Sequence, residues 1–258
     1  MKWMILSVVF VLFGTNSITR GQTIQQTNDK ILFVLTSHEK LGDTGKETGF
    51  YLSEAAHPWE VLKGDYQIEF VSPEGGKVPV DGFDLEDPVN KKFWENPQIQ
   101  TELNNTMKPS EIDPADYVAI HFVGGHGTMW DFPQNEALAE IASKIYQNQG
   151  VVSAVCHGPA GLVNIKLSDG SYLIKGRKVA GFSNAEEKAA GLTKVVPFLL
   201  EDKLIERGAN YSEGEIFTEH VVRDGRLVTG QNPQSAKKMA EEVLELLKTK
   251  NNRQLYTN

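Results

Sequence analysis

Gly150-Val151-Val152-Ser153-Ala154-Val155-Cys156-His157-Gly158-Pro159 is the stretch that decides the fold. Val151 to Val155 are small and β-branched, the composition of a strand buried on both faces. The run stops at Cys156 and His157, and Gly158 and Pro159 then end the strand and let a helix begin with Pro159 in its first turn. A residue at such a strand-to-helix turn is pushed beyond the sheet edge with its side chain presented, the geometry of a nucleophile elbow. Here that residue is Cys156, the one cysteine in the chain.

Outward from the elbow, strands and helices alternate. Lys30 to Thr36 (KILFVLT) is a continuous apolar run and reads as a central strand. A polar loop follows, then a helix over Gly49 to Leu62 that carries Glu54; Pro58 within it predicts a kink or a second short helix. Gln67 to Ser72 is a second strand, and Tyr117 to Val123 a third, ending in Gly124-Gly125-His126-Gly127. Residues 81–114 between them are polar and punctuated by proline, which predicts a cap or insertion with short helices around Val89 to Glu95 and Gln98 to Met107. Asn135 to Asn148 is an amphipathic helix and Ala160 to Ile165 a short one. Lys178 to Phe182 reads as a strand, followed by a helix over Ala185 to Gly191, capped by Asn184, with Glu187 in its first turn. A helix at Pro197 to Arg207, a hairpin over Val221 to Thr229 and a final helix from Pro233 to Lys248 complete the order. The pattern predicts an α/β fold, a mainly parallel sheet with helices on both faces. Glu54, Gly125, Cys156 and Glu187 all fall just past strand ends or in the helices after them, so they can meet at one edge.

Composition narrows the function classes. With 258 residues, 40% hydrophobic and 23% charged, the chain has the composition of a soluble globular protein and the length of one large domain or two small ones. Its net charge of −8 gives no footprint for nucleic acid or an anionic membrane. Lys2, the apolar run Trp3 to Phe13 and the small polar residues to Gly21 read as a signal peptide over 1–21, cleaved near Gln22. A flexible lead-in over 22–29, a domain over 30–248 and a disordered polar tail over 249–258 follow. The expected location is secreted or periplasmic, with no membrane association after cleavage. An unpaired thiol in an oxidising compartment calls for an explanation.

Each candidate also has a plain structural reading. Cys156 is either a nucleophile or a buried small hydrophobe. Glu54 is either a solvated helix residue or a carboxylate aimed at the sheet edge. Glu187 either serves the helix dipole alone or faces the elbow. The Gly124-Gly125 turn is either a tight connection or a cradle of backbone N–H groups for an anion. Gly124, His126 and Trp130 are candidate pocket walls. His57, His121 and His126 lack a recognisable ligand spacing, so no metal is expected.

These pieces carry a resemblance. AVCHGP at Ala154–Pro159 resembles the elbow of the ThiJ/PfpI superfamily, most closely its glyoxalase III-like branch, which includes stress-induced chaperone-like proteins. Four further pieces occur in the family's order: TGFYLSE at Thr48–Glu54 with Ala56, His57 and Pro58; Gly125-His126-Gly127-Thr128 with Asp131 and Pro133; Gly181-Phe182-Ser183 with Glu187; and DGRLVTG at Asp224–Gly230 with Asn232-Pro233. The resemblance implies a flavodoxin-like three-layer sandwich of the class I glutamine amidotransferase-like type, with a small cap, and a homodimer.

It also implies roles. Cys156 matches the nucleophile, His157 the histidine beside it, Glu187 the acidic member of the triad, and Glu54 the glutamate at the thiol. Backbone N–H groups of Gly125 and His157 match the oxyanion site. A helix N-terminus and a nearby basic group would favour the Cys156 thiolate. The implied reaction is glutathione-independent conversion of methylglyoxal or a related 2-oxoaldehyde to a 2-hydroxy acid, formally D-lactate, without cofactor or metal. A cysteine peptidase, amidase or deglycase-like hydrolase would use the same triad, and a holdase chaperone would not need Cys156. A glutamine amidotransferase is disfavoured, because no His-x-Glu pair follows the elbow.

Overall fold

The computed structural model describes residues 29–256. The expected signal peptide, and the lead-in except Asp29, lie outside the described residues. Six strands form the central sheet: β1 (Lys30–Val34), β2 (Gln67–Val71), β3 (Tyr117–Phe122), β4 (Val151–Val155), β5 (Val221–Asp224) and β6 (Leu227–Gly230). Their order is β2-β1-β3-β4-β6-β5. Every pairing is parallel except the β5–β6 hairpin at one edge. The chain runs outward from β1 to β2 and returns to β3 on the other side of β1. That reversal opens a crevice beyond the C-terminal ends of β1 and β3, where α/β proteins of this strand order place their ligands.

The apolar runs form strands because both faces of the sheet are covered. Leu32, Phe33, Val34, Phe122, Val152, Ala154 and Val155 are inaccessible to solvent. The longer helices are α1 (Leu52–Leu62), α2 (Pro88–Trp94), α3 (Pro97–Leu103), α4 (Glu136–Gln147), α5 (Asn184–Ala189), α6 (Leu200–Glu206) and α7 (Ala236–Tyr256). α1 and α7 pack on each other, with α7 against β4 and β6, while α4 packs against β3 and β4. Residues 81–114 also feed the main core. Asp87 and Asn96 cap α2 and α3, each ahead of a proline, and these caps aim Phe93, Ile99 and Leu103 inward.

Four expectations are corrected. Only Lys178–Val179 of the predicted strand over 178–182 is extended and paired, and its partner is Asn210–Tyr211, outside the central sheet. The place beside β4 is already filled by β6, so this segment ties in by Ala180 N–H to Thr229 Oγ1 at 2.8 Å and Phe182 N–H to the Cys156 carbonyl at 2.8 Å. Ser183, not Asn184, caps α5. The helix after the elbow is a 3-10 turn over Gly158–Leu162. Finally, α7 runs on to Tyr256 through residues read as a tail, a stretch with neither glycine nor proline to stop it.

Candidate active site

The elbow is strained and held from both sides. Cys156 has φ 58°, a left-handed conformation that a side chain disfavours by about 1–2 kcal/mol. Its N–H donates to the Gly230 carbonyl at 3.0 Å, and its carbonyl accepts from Phe182 N–H at 2.8 Å. The hairpin and the segment before α5 thus over-determine the turn, which is how a folded chain sustains such a residue.

Three elements converge on the imidazole beside it. His157 Nδ1 lies 3.3 Å from Cys156 Sγ, and His157 Nε2 lies 2.8 Å from Glu187 Oε2. The other carboxylate oxygen, Oε1, lies 3.1 Å from His126 Nε2. Glu187 is pulled down to about 2, its buried charge held by the two imidazoles that face it. As an ionised carboxylate it only accepts, so each Nε2 carries a hydrogen. Burial, with His126 alongside, holds His157 down at about 4, hence neutral. The tautomer follows: Nε2–H donates to Glu187, and bare Nδ1 accepts from the thiol. Glu186, the residue before, anchors this end of α5. It accepts from Ser183 N–H and O–H, Phe217 N–H and the Asn232 amide at 2.8–3.0 Å. The Ser183-x-x-Glu186 capping box is a readable signal that the expected Asn184 cap missed.

Glu54 also faces the thiol. It is wholly buried in the first turn of α1, and neither carboxyl oxygen closes a well-formed hydrogen bond among the described residues. Burial pushes it well above the usual carboxylate range, and contacts with the Cys156 thiol and the Gly124 backbone only partly oppose this. Gly124 makes the approach possible: a Cβ there would sit 2.3 Å from Glu54 Oε2 and 3.0 Å from Cys156 Cβ.

Helix α1 continues through Pro58, where a kink or break was expected. Proline has no N–H, so the Glu54 carbonyl four residues earlier loses its helical partner. His121, buried on β3, supplies one: its Nε2 lies 3.3 Å from that carbonyl, and its Nδ1 lies 3.1 Å from Ser153 Oγ. Burial holds His121 neutral, down at about 4. Nε2–H therefore donates to Glu54, and Ser153 O–H serves Nδ1.

The expectation of a thiolate favoured by its surroundings is corrected. Burial pushes the Cys156 thiol well up, and negative charge on Glu54 would push it further. A protonated Glu54 removes that second effect and can instead donate to sulfur. Gly125, at φ 105°, has no room for a side chain: a Cβ would lie 2.3 Å from the Gly49 carbonyl. Among the described residues no protein oxygen accepts from the N–H of Gly125 or His157. Thr128, given no role of its own by the motif, ties the two loops, its hydroxyl shared between the Gly125 and His157 carbonyls. Trp130 stacks on His38 with centroids 5.0 Å apart, while His57 pairs with Asp87 at 3.0 Å on the outer side of α1.

Comparison with known proteins shows the family. The model of the DJ-1/PfpI family matches residues 46–246. Glyoxalase 3 of Candida albicans is 41% identical over 234 residues, covering 83% of this chain and 97% of that protein. The glutathione-independent glyoxalase HSP31 of Saccharomyces cerevisiae is 35% identical, covering 85% and 98%. The crystal structure of Rapid Encystment Protein 24 KDa of Francisella tularensis superposes with a TM-score of 0.82 at 40% identity, covering 85% of this chain and 99% of that one. Matched by that family's model over most of its length and similar to these relatives across nearly their whole chains, the protein belongs to the DJ-1/PfpI family.

Proposed function

We propose that the protein is a glutathione-independent glyoxalase that converts a 2-oxoaldehyde such as methylglyoxal to a 2-hydroxy acid. One observation carries the reading: the Cys156 thiol contacts a neutral imidazole and a buried carboxyl that burial pushes toward its protonated form. The two relatives named as glyoxalases support it.

In this mechanism His157 Nδ1 takes the thiol proton as sulfur adds to the aldehyde carbon. An S–C bond forms, and the carbonyl π pair moves to oxygen. The Gly125 and His157 N–H groups stabilise that oxyanion, and the Glu54 O–H can protonate it. The hydrogen on C1 then moves to C2 through an enediolate, carried by His157 or Glu54, leaving a thioester of the hydroxy acid. Water hydrolyses the thioester and returns the thiol. The balance is oxoaldehyde plus water to hydroxy acid, with no redox partner. Glu187 acts by holding His157 in the tautomer that leaves Nδ1 free.

Purified protein should form lactate from methylglyoxal without glutathione, and Cys156→Ser should abolish it. Unchanged turnover in that variant, or no turnover of any 2-oxoaldehyde by the wild type, overturns the reading; peptide cleavage instead would select a hydrolase. Export is part of the proposal. N-terminal sequencing from the host's periplasmic or extracellular fraction should begin near Gln22, and a retained Met1 counts against it.

A further inference from the structure

His126 is more than a pocket wall. Its Nε2 and that of His157 lie 3.1 and 2.8 Å from the two oxygens of Glu187, and the three ligand atoms all fall within 4.8 Å of one another. The residues come from three separately anchored elements: the turn after β3, the elbow after β4, and the first turn of α5. Two imidazole nitrogens and one carboxylate make the donor set by which many zinc sites hold the metal while leaving a position open. Tetrahedral bonds of about 2.0–2.1 Å place ligand atoms roughly 3.4 Å apart; the 2.8 and 3.1 Å contacts to Glu187 lie just below that spacing, and no pair exceeds 4.8 Å. An entry path exists, since the His126 side chain is 17% exposed while those of Glu187 and His157 are 3% and 0%.

We propose that His126, His157 and Glu187 bind a divalent transition-metal ion, zinc foremost, and that the bound ion inhibits the enzyme by fixing the tautomer of His157. The ion takes the Nε2 lone pairs, and each ring then carries its hydrogen on Nδ1. In His126 the hydrogen moves from one nitrogen to the other through water. In His157 the hydrogen likewise moves from Nε2 to Nδ1, which faces the Cys156 thiol 3.3 Å away. No bond to carbon changes and the thiol keeps its proton. With its Nδ1 occupied and its Nε2 on the metal, His157 is no longer a base that can take and return a proton. The sulfur, on the far side of the ring from the metal, is not a ligand.

Inhibition rests on the glyoxalase reading; binding does not, so binding is measured without substrate. The full chain is titrated calorimetrically with zinc, and cobalt(II) is added separately for its visible spectrum. The expected result is one ion per chain, with weakening in His126→Asn of at least about ten-fold, the scale set by loss of even an outer-sphere partner. Cys156→Ser should bind as tightly as the wild type. The cobalt spectrum, which needs no variant, should show nitrogen and oxygen ligation with no thiolate charge-transfer band. Zinc-loaded wild type should form no lactate yet still be alkylated at Cys156 by iodoacetamide, and chelation should restore turnover. Absence of binding, equal affinity in a folded His126→Asn, a thiolate band, or zinc protection of Cys156 from alkylation overturns the proposal.

Discussion

Glu54 and Glu187 flank the same thiol–imidazole pair, and both are buried, yet their environments drive them in opposite directions. Glu187 has an imidazole on each oxygen and is pulled down to about 2. Glu54 has no such donor and is pushed well above the ordinary range. Burial acts the same way on both; the partners decide the outcome. The difference produces one carboxylate that holds a charge and orients a base, and one carboxylic acid that holds a proton next to sulfur. Pairs of carboxyls split in this way mark sites of acid–base chemistry.

The largest break in the comparison is Glu54→Gln. The amide keeps the shape and can donate a hydrogen bond, but it cannot give up a proton. Turnover should fall about 100- to 10,000-fold, the range for loss of a general acid–base, with KM little changed. A kcat near wild type would show that Glu54 is only a packing residue.

Glu187→Gln comes next. A neutral amide turns an N–H toward one of the two imidazoles, so His157 loses its tautomer lock. Steady-state kinetics should show a lower kcat with KM little changed, by a smaller factor than in Glu54→Gln, because the amide still occupies the place that orients the ring. An equal or larger loss than in Glu54→Gln would reverse the assigned order.

The smallest test concerns how Glu54 is held. In His121→Phe the Glu54 carbonyl loses its side-chain donor, with an expected stability loss of about 1–3 kcal/mol in urea unfolding. Pro58→Ala restores a helical N–H to the same carbonyl. The His121→Phe loss should therefore shrink in the Pro58→Ala background. Additive losses in this cycle would show that the His121–Glu54 contact carries no energy.

Much of this was legible in the sequence. The strands KILFVLT and YVAIHFV and the run into Cys156 are apolar without alternation, because the sheet is covered on both faces, and their C-terminal ends locate the crevice. The elbow was legible because Gly158 and Pro159 punctuate it. What escaped was non-local. Nothing in the sequence near His126, 61 positions from Glu187, tells that they meet. Pro58 read as a break because its compensating donor, His121, lies on a distant strand. The 178–182 segment has strand composition, but the hairpin already occupies its place in the sheet. The thiol's own direction needed burial and the Glu54 carboxyl, which spacing does not encode.

The opposed carboxyls are the central claim, and carbon-13 NMR of carboxyl-labelled glutamate tests it most directly, with Glu54→Gln and Glu187→Gln assigning the two resonances. Titrated from pH 3 upward, the folded protein should show Glu187 ionised at the start and Glu54 still protonated well above the pH at which an ordinary glutamate ionises. A Glu54 that ionises in the ordinary carboxylate range, or a Glu187 that titrates near the usual 4.5, would contradict the account.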